Sequence, residues 1–281
     1  MARPRARVPD PAITHNGNEA FGPCALCGAV FDRSTIGRHV AACVRKAAGA
    51  GNEALLLHAQ SVGRVVYWIE LVVRRDAPLA ALDKALRDVW LDEPCGHLSA
   101  FVVGKRGPRD SNWRQLVSRG YAHDLLPDPR VMPMSRAKAD DVLAPRVEIV
   151  HEYDFGTTTT TTVRGIVGCG ALPGRAAVRI VARNNAPTIG CGACEAKPAR
   201  HVCAYCYGSD DALLCDACAK EHECGAEGIL PWLNSPRTGL CGYGSEPKPL
   251  LRGGVGADRL GARDASGKGP VTQTRIAGVN P

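Results

Sequence analysis

The chain has 281 residues, of which 45% are hydrophobic and 22% charged, with a formal net charge of +7. These fractions are ordinary for a soluble globular protein, and no apolar run approaches the ~20 residues of a membrane-spanning helix. The best candidate, Val65 to Val73, is short and carries Glu70. The segment Met1 to Asn16 holds three arginines and no apolar core, unlike a secretory leader. The expected location is therefore cytoplasmic, with no membrane among the partners.

That location governs the 13 cysteines, because in a reducing compartment paired Cys-x2-Cys spacings mean metal ligation more often than disulfides. Residues 1–20 lack apolar periodicity and read as a disordered lead-in. Residues 21–46 read as a zinc finger: Cys24-x2-Cys27 forms a knuckle, and His39 and Cys43 sit one turn apart on one face of a short helix. Phe31 and Ile36 between them supply the small core such a finger needs. Arg33, Arg38, Arg45 and Lys46 against Asp32 alone give this helix a basic surface. Nucleic acid is therefore an alternative partner, although one finger covers only about three base pairs.

Residues 47–63 read as a linker or helix, with Ala47 to Asn52 as the linker and a helical or strand-like segment resuming at Glu53, and residues 64–185 as an α+β domain with a mainly antiparallel sheet. Val65 to Val73 is β-branched and aromatic, a strand ended by Asp76-Ala77-Pro78. Leu79, Leu82, Leu86 and Val89-Trp90 recur at helical spacing. Leu98 to Val103 is a second strand. Residues 108–140, with Pro127, Pro129 and Pro133, read as irregular. Arg146 to Phe155, Thr157 to Val167 and Ala176 to Ala182 read as further strands, the threonine run suiting a strand with one solvated face.

Residues 186–245 hold the denser cysteine pattern, Cys191-x2-Cys194-x8-Cys203-x2-Cys206-x8-Cys215-x2-Cys218, followed by His222 and Cys224. Eight nitrogen and sulfur ligands suit two tetrahedral zinc ions, so three zincs are expected in all. Sequential and alternating pairings both fit, with His201 as a spare ligand. Residues 191–224 carry a net charge of −3, which thiolate ligation deepens. This argues against a phosphate backbone as the ligand of this module and for a protein partner. In the otherwise uncharged segment Leu230 to Tyr243, Arg237 is expected to dock on the middle domain beside Trp232 and Leu233. Residues 246–281 read as a disordered Gly- and Arg-rich tail. The three cysteines outside the patterns, Cys95, Cys169 and Cys241, read as buried apolar thiols.

The ligand order in residues 191–224 resembles cross-braced modules of the B-box and MYND type. That resemblance implies Cys191, Cys194, Cys215 and Cys218 on one zinc and Cys203, Cys206, His222 and Cys224 on the other, in a protein-interaction domain. The middle of the chain has a second likeness, carried by Ala77 to Asp83, Trp90, Cys95-Gly96-His97-Leu98-Ser99-Ala100-Phe101, Tyr153-Asp154-Phe155-Gly156-Thr157 and Asn234 to Tyr243. Together these resemble the Ri-plasmid ORF-three-like family, also called the insertion-sequence passenger TnpR family, over residues 64–245. The resemblance implies a compact α+β fold associated with plasmids and mobile elements, with no established activity. Many members have an acidic residue where this chain has Thr157.

Nothing in the chain reads as an active site. Cys95, His97 and Asp154 are residue types for a nucleophile, a base and an orienter. Their setting reads instead as structural, His97 packing on the sheet and Asp154 forming a turn. There is no phosphate-binding glycine loop, no H-E-x-x-H and no G-x-S-x-G, and no small-molecule substrate is evident. The reading is a non-enzymatic protein-interaction scaffold flanked by two small zinc-stabilised modules. The alternative is a nucleic-acid-binding accessory using the finger, the tails and Lys105 to Arg109.

Overall fold

The longest apolar runs of the chain become the middle of one large sheet. The computed structural model describes residues 20–49, 51–64, 66–91, 96–103, 115–119 and 131–244. The expected lead-in and tail, Cys95 and Lys105 to Arg109 fall outside them, apart from Ala20. The strands are β1 (Phe21–Pro23), β2 (Val30–Asp32), β3 (Ala54–Ser61), β4 (Trp68–Arg74), β5 (Ser99–Val103), β6 (Gln115–Arg119), β7 (Val131–Pro133), β8 (Glu148–Tyr153), β9 (Thr159–Cys169), β10 (Val178–Arg183), β11 (His201–Cys203), β12 (Leu213–Leu214) and β13 (Ile229–Pro231). The helices are α1 (Arg33–Ala48), α2 (Leu79–Leu86, continuing into a wide turn, Arg87–Leu91), α3 (Ala139–Val142) and α4 (Asp216–Lys220).

Eight strands form the main sheet in the order β10-β4-β3-β9-β8-β5-β6-β7. All neighbours are antiparallel except β6 and β7. The architecture is thus α+β with a mainly antiparallel sheet. Two expectations are corrected. Of the alternatives for residues 47–63, the helix is the one corrected: α1 runs to Ala48, and the segment after Glu53 is a central strand, Ala54–Ser61. Leu55, Leu56 and Leu57 are all fully buried. A strand covered on both faces reads as a continuous apolar run rather than an alternation. The stretch 108–140 also contains regular structure, namely β6, β7 and the start of α3.

The first cysteine segment is welded to this sheet. Asp32 caps α1 by accepting from the backbone N–H groups of Ser34 and Thr35. The Ser34 and Thr35 hydroxyls join those amides in lowering its carboxyl to about 2. Ile36, Val40 and Val44 recur every four residues and are fully buried in the same apolar cluster as Leu55, Trp68 and Leu71. The expected private core of Phe31 and Ile36 is therefore corrected: Ile36 belongs to the core of the whole sheet. Gly22 lets the β1 backbone lie against β10, since a Cβ there would stand 2.0 Å from the Arg183 carbonyl oxygen.

Residues 191–231 form a three-stranded sheet, β12-β11-β13, over a separate cluster of just three buried residues, Val202, Ala212 and Leu230. Trp232 packs against both clusters. The segment after it binds the main domain by polar contacts. The Asn184 side-chain amide donates to the Asn234 side-chain carbonyl and the Asn234 amide to the Asn184 backbone carbonyl. The Ser235 hydroxyl donates to the Trp90 carbonyl, and Arg64 donates to the Pro236 carbonyl at 3.3 Å and, before this segment, to the Tyr207 hydroxyl at 2.8 Å.

Candidate metal centres

Twelve of the chain's Cys and His side chains gather into three quartets whose donor atoms lie within 4.8 Å of one another. The first is Cys24, Cys27, His39 and Cys43. A tight turn closed by Gly28 N–H donating to the Cys24 carbonyl at 2.7 Å presents the two knuckle thiols. Helix α1 presents the other two donors four residues apart. His39 Nε2 lies 3.1 Å from Cys27 Sγ and 3.3 Å from Cys43 Sγ, and the two sulfurs are 3.8 Å apart. Phe31 stacks on the His39 ring at 4.0 Å and fixes its plane.

In residues 191–224 the alternating arrangement is the one adopted. Cys191, Cys194, Cys215 and Cys218 form one group, and Cys203, Cys206, His222 and Cys224 the other. Cys194 and Cys215 sulfurs are 3.9 Å apart, and Cys206 Sγ stands 3.5 Å from Cys224 Sγ and 3.4 Å from His222 Nε2. The chain achieves this by folding β11 back against β12, which returns the third Cys-x2-Cys pair, Cys215 and Cys218, to the first. His201 stays outside both groups, its Nε2 2.8 Å from an Asp216 carboxylate oxygen.

Two thiolates joined to one zinc at about 2.3 Å and the tetrahedral angle stand about 3.8 Å apart. The sulfur–sulfur separations above cluster around that value. Without a cation such groups cannot all ionise. Burial pushes the Cys43 thiol up to about 12, and the neighbouring Cys27 and Cys24 add to it. Burial and its thiol neighbours likewise push Cys218 up to about 12, whereas hydrogen bonds with Cys224 and Cys203 do so for Cys206. A divalent cation reverses that repulsion by binding the thiolates directly. The donor sets, three sulfurs and one nitrogen twice and four sulfurs once, suit a soft tetrahedral metal.

A fourth group, His97, Asp154 and Cys241, also lies within 4.8 Å. Sequence reasoning did not connect Cys241 with the other two, because no local spacing links residues so far apart. Cys241 is exposed rather than a buried thiol, whereas Cys169 is 8% exposed as expected. Asp154 has a left-handed backbone, φ 62°, and accepts from its own turn through Gly156 N–H at 3.0 Å. It also accepts from Arg237, which is fully buried and lies over the Tyr153 ring. Burial alone would raise the Asp154 carboxyl; the Thr157 hydroxyl and the Arg237 guanidinium outweigh it and hold it well below the usual carboxylate range. His97 Nδ1 is 3.6 Å from Asp154, too long for a hydrogen bond. The carboxylate is meanwhile committed to Arg237.

No helix among the described residues is long and apolar enough to cross a membrane. No family model matches the chain, and no curated protein matches it. Among solved structures, the chain is similar to a protein of unknown function from Methanosarcina mazei Go1, with 18% identity and a TM-score of 0.36. That alignment covers 46% of this chain and 66% of the other, just under two thirds of its length.

Proposed function

We propose that this chain is a non-enzymatic three-zinc scaffold of the cytoplasm that binds a protein partner through its C-terminal module. The observation that carries the reading is the grouping of twelve donors into three quartets. Four protein ligands complete a tetrahedral zinc and leave no position for water or substrate, the mark of a structural site. The choice of partner follows from the surface of the C-terminal module. Asp211, Asp216, Glu221, Glu223 and Glu227 are exposed there, and Tyr205 is 68% exposed beside them. An acidic surface with a projecting aromatic suits a basic protein segment.

Kinship with the Ri-plasmid ORF-three-like family, and with it a mobile-element setting, belongs to the same reading. It is supported by the meeting of two of the segments that carry the likeness: Asp154 of the Tyr-Asp-Phe-Gly element pairs with Arg237 of the Asn234 to Tyr243 element. The first test is metal content by native mass spectrometry of protein purified without chelators. Three zincs are expected, falling by one in Cys43→Ser and by one or two in Cys218→Ser; one zinc or none refutes the assignment. A partner that copurifies with the wild type should be lost from Glu221→Lys/Glu223→Lys at unchanged zinc content.

A further inference from the structure

Between α1 and the sheet lies a cleft of about 530 Å³ that none of the quartets uses. Its walls carry Arg33 and Arg38 from α1, Arg146 from the turn before β8 and Arg164 from β9. These four arginines come from three separate stretches of chain. Among the described residues no hydrogen bond or ion pair engages any of their guanidinium groups. Four cations free of hydrogen bonds and ion pairs around one concavity concentrate positive potential, and the planar guanidinium fork matches phosphate oxygens two at a time.

The floor has the opposite character. Glu70, on β4, is the acidic residue lining the cleft, and its side chain is 1% exposed. One carboxylate oxygen takes His58 Nδ1 at 2.7 Å; the other, Oε2, has no hydrogen-bond partner. Burial pushes this carboxyl up against the pull of His58 and Arg164. A buried acceptor without a donor is a rarity that calls for an explanation. Directly above it α1 carries Gly37, where a Cβ would stand 3.3 Å from Ile166 Cδ1 and 3.5 Å from Glu70 Oε1. Glycine is costly inside a helix; here it seats α1 low on the sheet and keeps a side chain away from the carboxylate. The cleft thus offers cations at the rim, an apolar flank at Ile166 and an orphan acceptor at the floor, within the size range of small-ligand sites, about 300–1,000 Å³.

We propose that this cleft binds a nucleotide, its phosphate held by Arg33, Arg38, Arg146 and Arg164 and an N–H edge of its base donated to Glu70. Carboxylates accept from exocyclic amino groups of bases in this way. Inorganic phosphate satisfies the rim alone, whereas a nucleotide satisfies rim and floor together. The same chemistry is offered by a free mononucleotide and by one unit of a single strand.

The test is titration of the full-length, zinc-loaded chain with inorganic phosphate, the four ribonucleoside monophosphates and a short labelled single-stranded oligonucleotide. At least one nucleotide probe is expected to bind about tenfold or more tightly than inorganic phosphate, and its affinity to fall with rising salt. Arg146→Gln/Arg164→Gln, both exposed positions, should weaken that binding at least about tenfold, the loss expected when charge-assisted phosphate contacts are removed, with unchanged melting and zinc content. Glu70→Gln should alter the order of preference among the four bases while leaving phosphate binding in place. Saturation by a mononucleotide identifies a free ligand; saturation by the oligonucleotide alone, with the same arginine dependence, identifies a strand. Failure of every nucleotide probe to bind, or binding indifferent to the arginine pair, overturns the proposal. Base preferences unchanged in Glu70→Gln overturn the assignment of the floor.

Discussion

The two cysteine-rich segments solve the same problem in opposite ways. The N-terminal quartet closes a segment whose helix already buries Ile36, Val40 and Val44 in the core of the main sheet. A metal there would be a clasp on a structure with other means of support. Cysteines aside, the C-terminal segment buries only small or scattered apolar side chains, Ala199, Val202, Ala212, Leu214 and Leu230, far too few to offset the backbone entropy of some forty ordered residues at about 1–2 kcal/mol each. On the three-zinc proposal its order comes from metal ligation, for which structural zinc in small domains contributes an apparent ~10–16 kcal/mol, and from docking on the main domain. Ligand number alone does not indicate how much a chain depends on its metal; the apolar surface buried beside the ligands does.

Chelation should separate the two regions most widely. In hydrogen exchange followed by mass spectrometry, metal removal is expected to abolish protection across residues 191–231 while α1 and strands β3 and β4 remain protected. Cys218→Ser should reproduce the C-terminal part of that loss by itself. Equal loss of protection in α1 breaks the comparison, because the N-terminal segment would then depend on its metal as fully as the C-terminal one.

The next effect tests the docking rather than the metal. Arg237 is fully buried and donates to Asp154 and to the Thr157 carbonyl. Arg237→Ala leaves a buried carboxylate without its cation, a change that costs about 3–5 kcal/mol. Denaturant unfolding should register a loss of that size, and metal content should stay at the wild-type value. A loss of metal in this variant would show that docking and ligation are one cooperative unit. On the other side of the comparison, Ile36→Ala should cost about 2–5 kcal/mol by cavity formation. It should exceed the effect of Cys43→Ser on the same transition, since the first removes core and the second a clasp.

How much of this was legible in the chain depended on the range over which each signal acts. The cysteine quartets rest on ligand spacings within one or two turns, and residues 191–224 were legible as two groups, although only the folded geometry distinguishes alternating from sequential pairing. The helix starting at Leu79 and the strands around Trp68, Phe101 and Val163 announced themselves by period and β-branching. The strand Ala54–Ser61 did not: buried on both faces, it carries no alternation to separate it from a helix. The convergence of His97, Asp154 and Cys241 left no local trace, since three loops distant in sequence create it. The arginine cleft was hidden for the same reason. Arg33 and Arg38 read as a basic helix face, but nothing in the sequence places Arg146, Arg164 and Glu70 opposite them.

The smallest expected effect is a matter of pH, and it sharpens the account of docking. Asp154 is held well below the usual carboxylate range in the folded chain, against burial, by Thr157 and Arg237. Its unfolded value is the ordinary one, about 3.9. Above that value both states are ionised, and the full stabilisation is present. As pH falls below about 4 the unfolded state takes up the proton first, so stability declines until the depressed folded value is passed. Thiol protonation also releases metal in acid, so the informative quantity is a difference between proteins. Asp154→Asn removes this carboxyl and leaves the thiols untouched. Its stability should lie below that of the wild type at neutral pH, and the gap should narrow as pH falls below about 4. A gap that stays constant to the acid end of the titration would mean that Arg237 draws its fixed position from the Thr157 and Thr159 contacts and the Tyr153 ring rather than from the Asp154 charge.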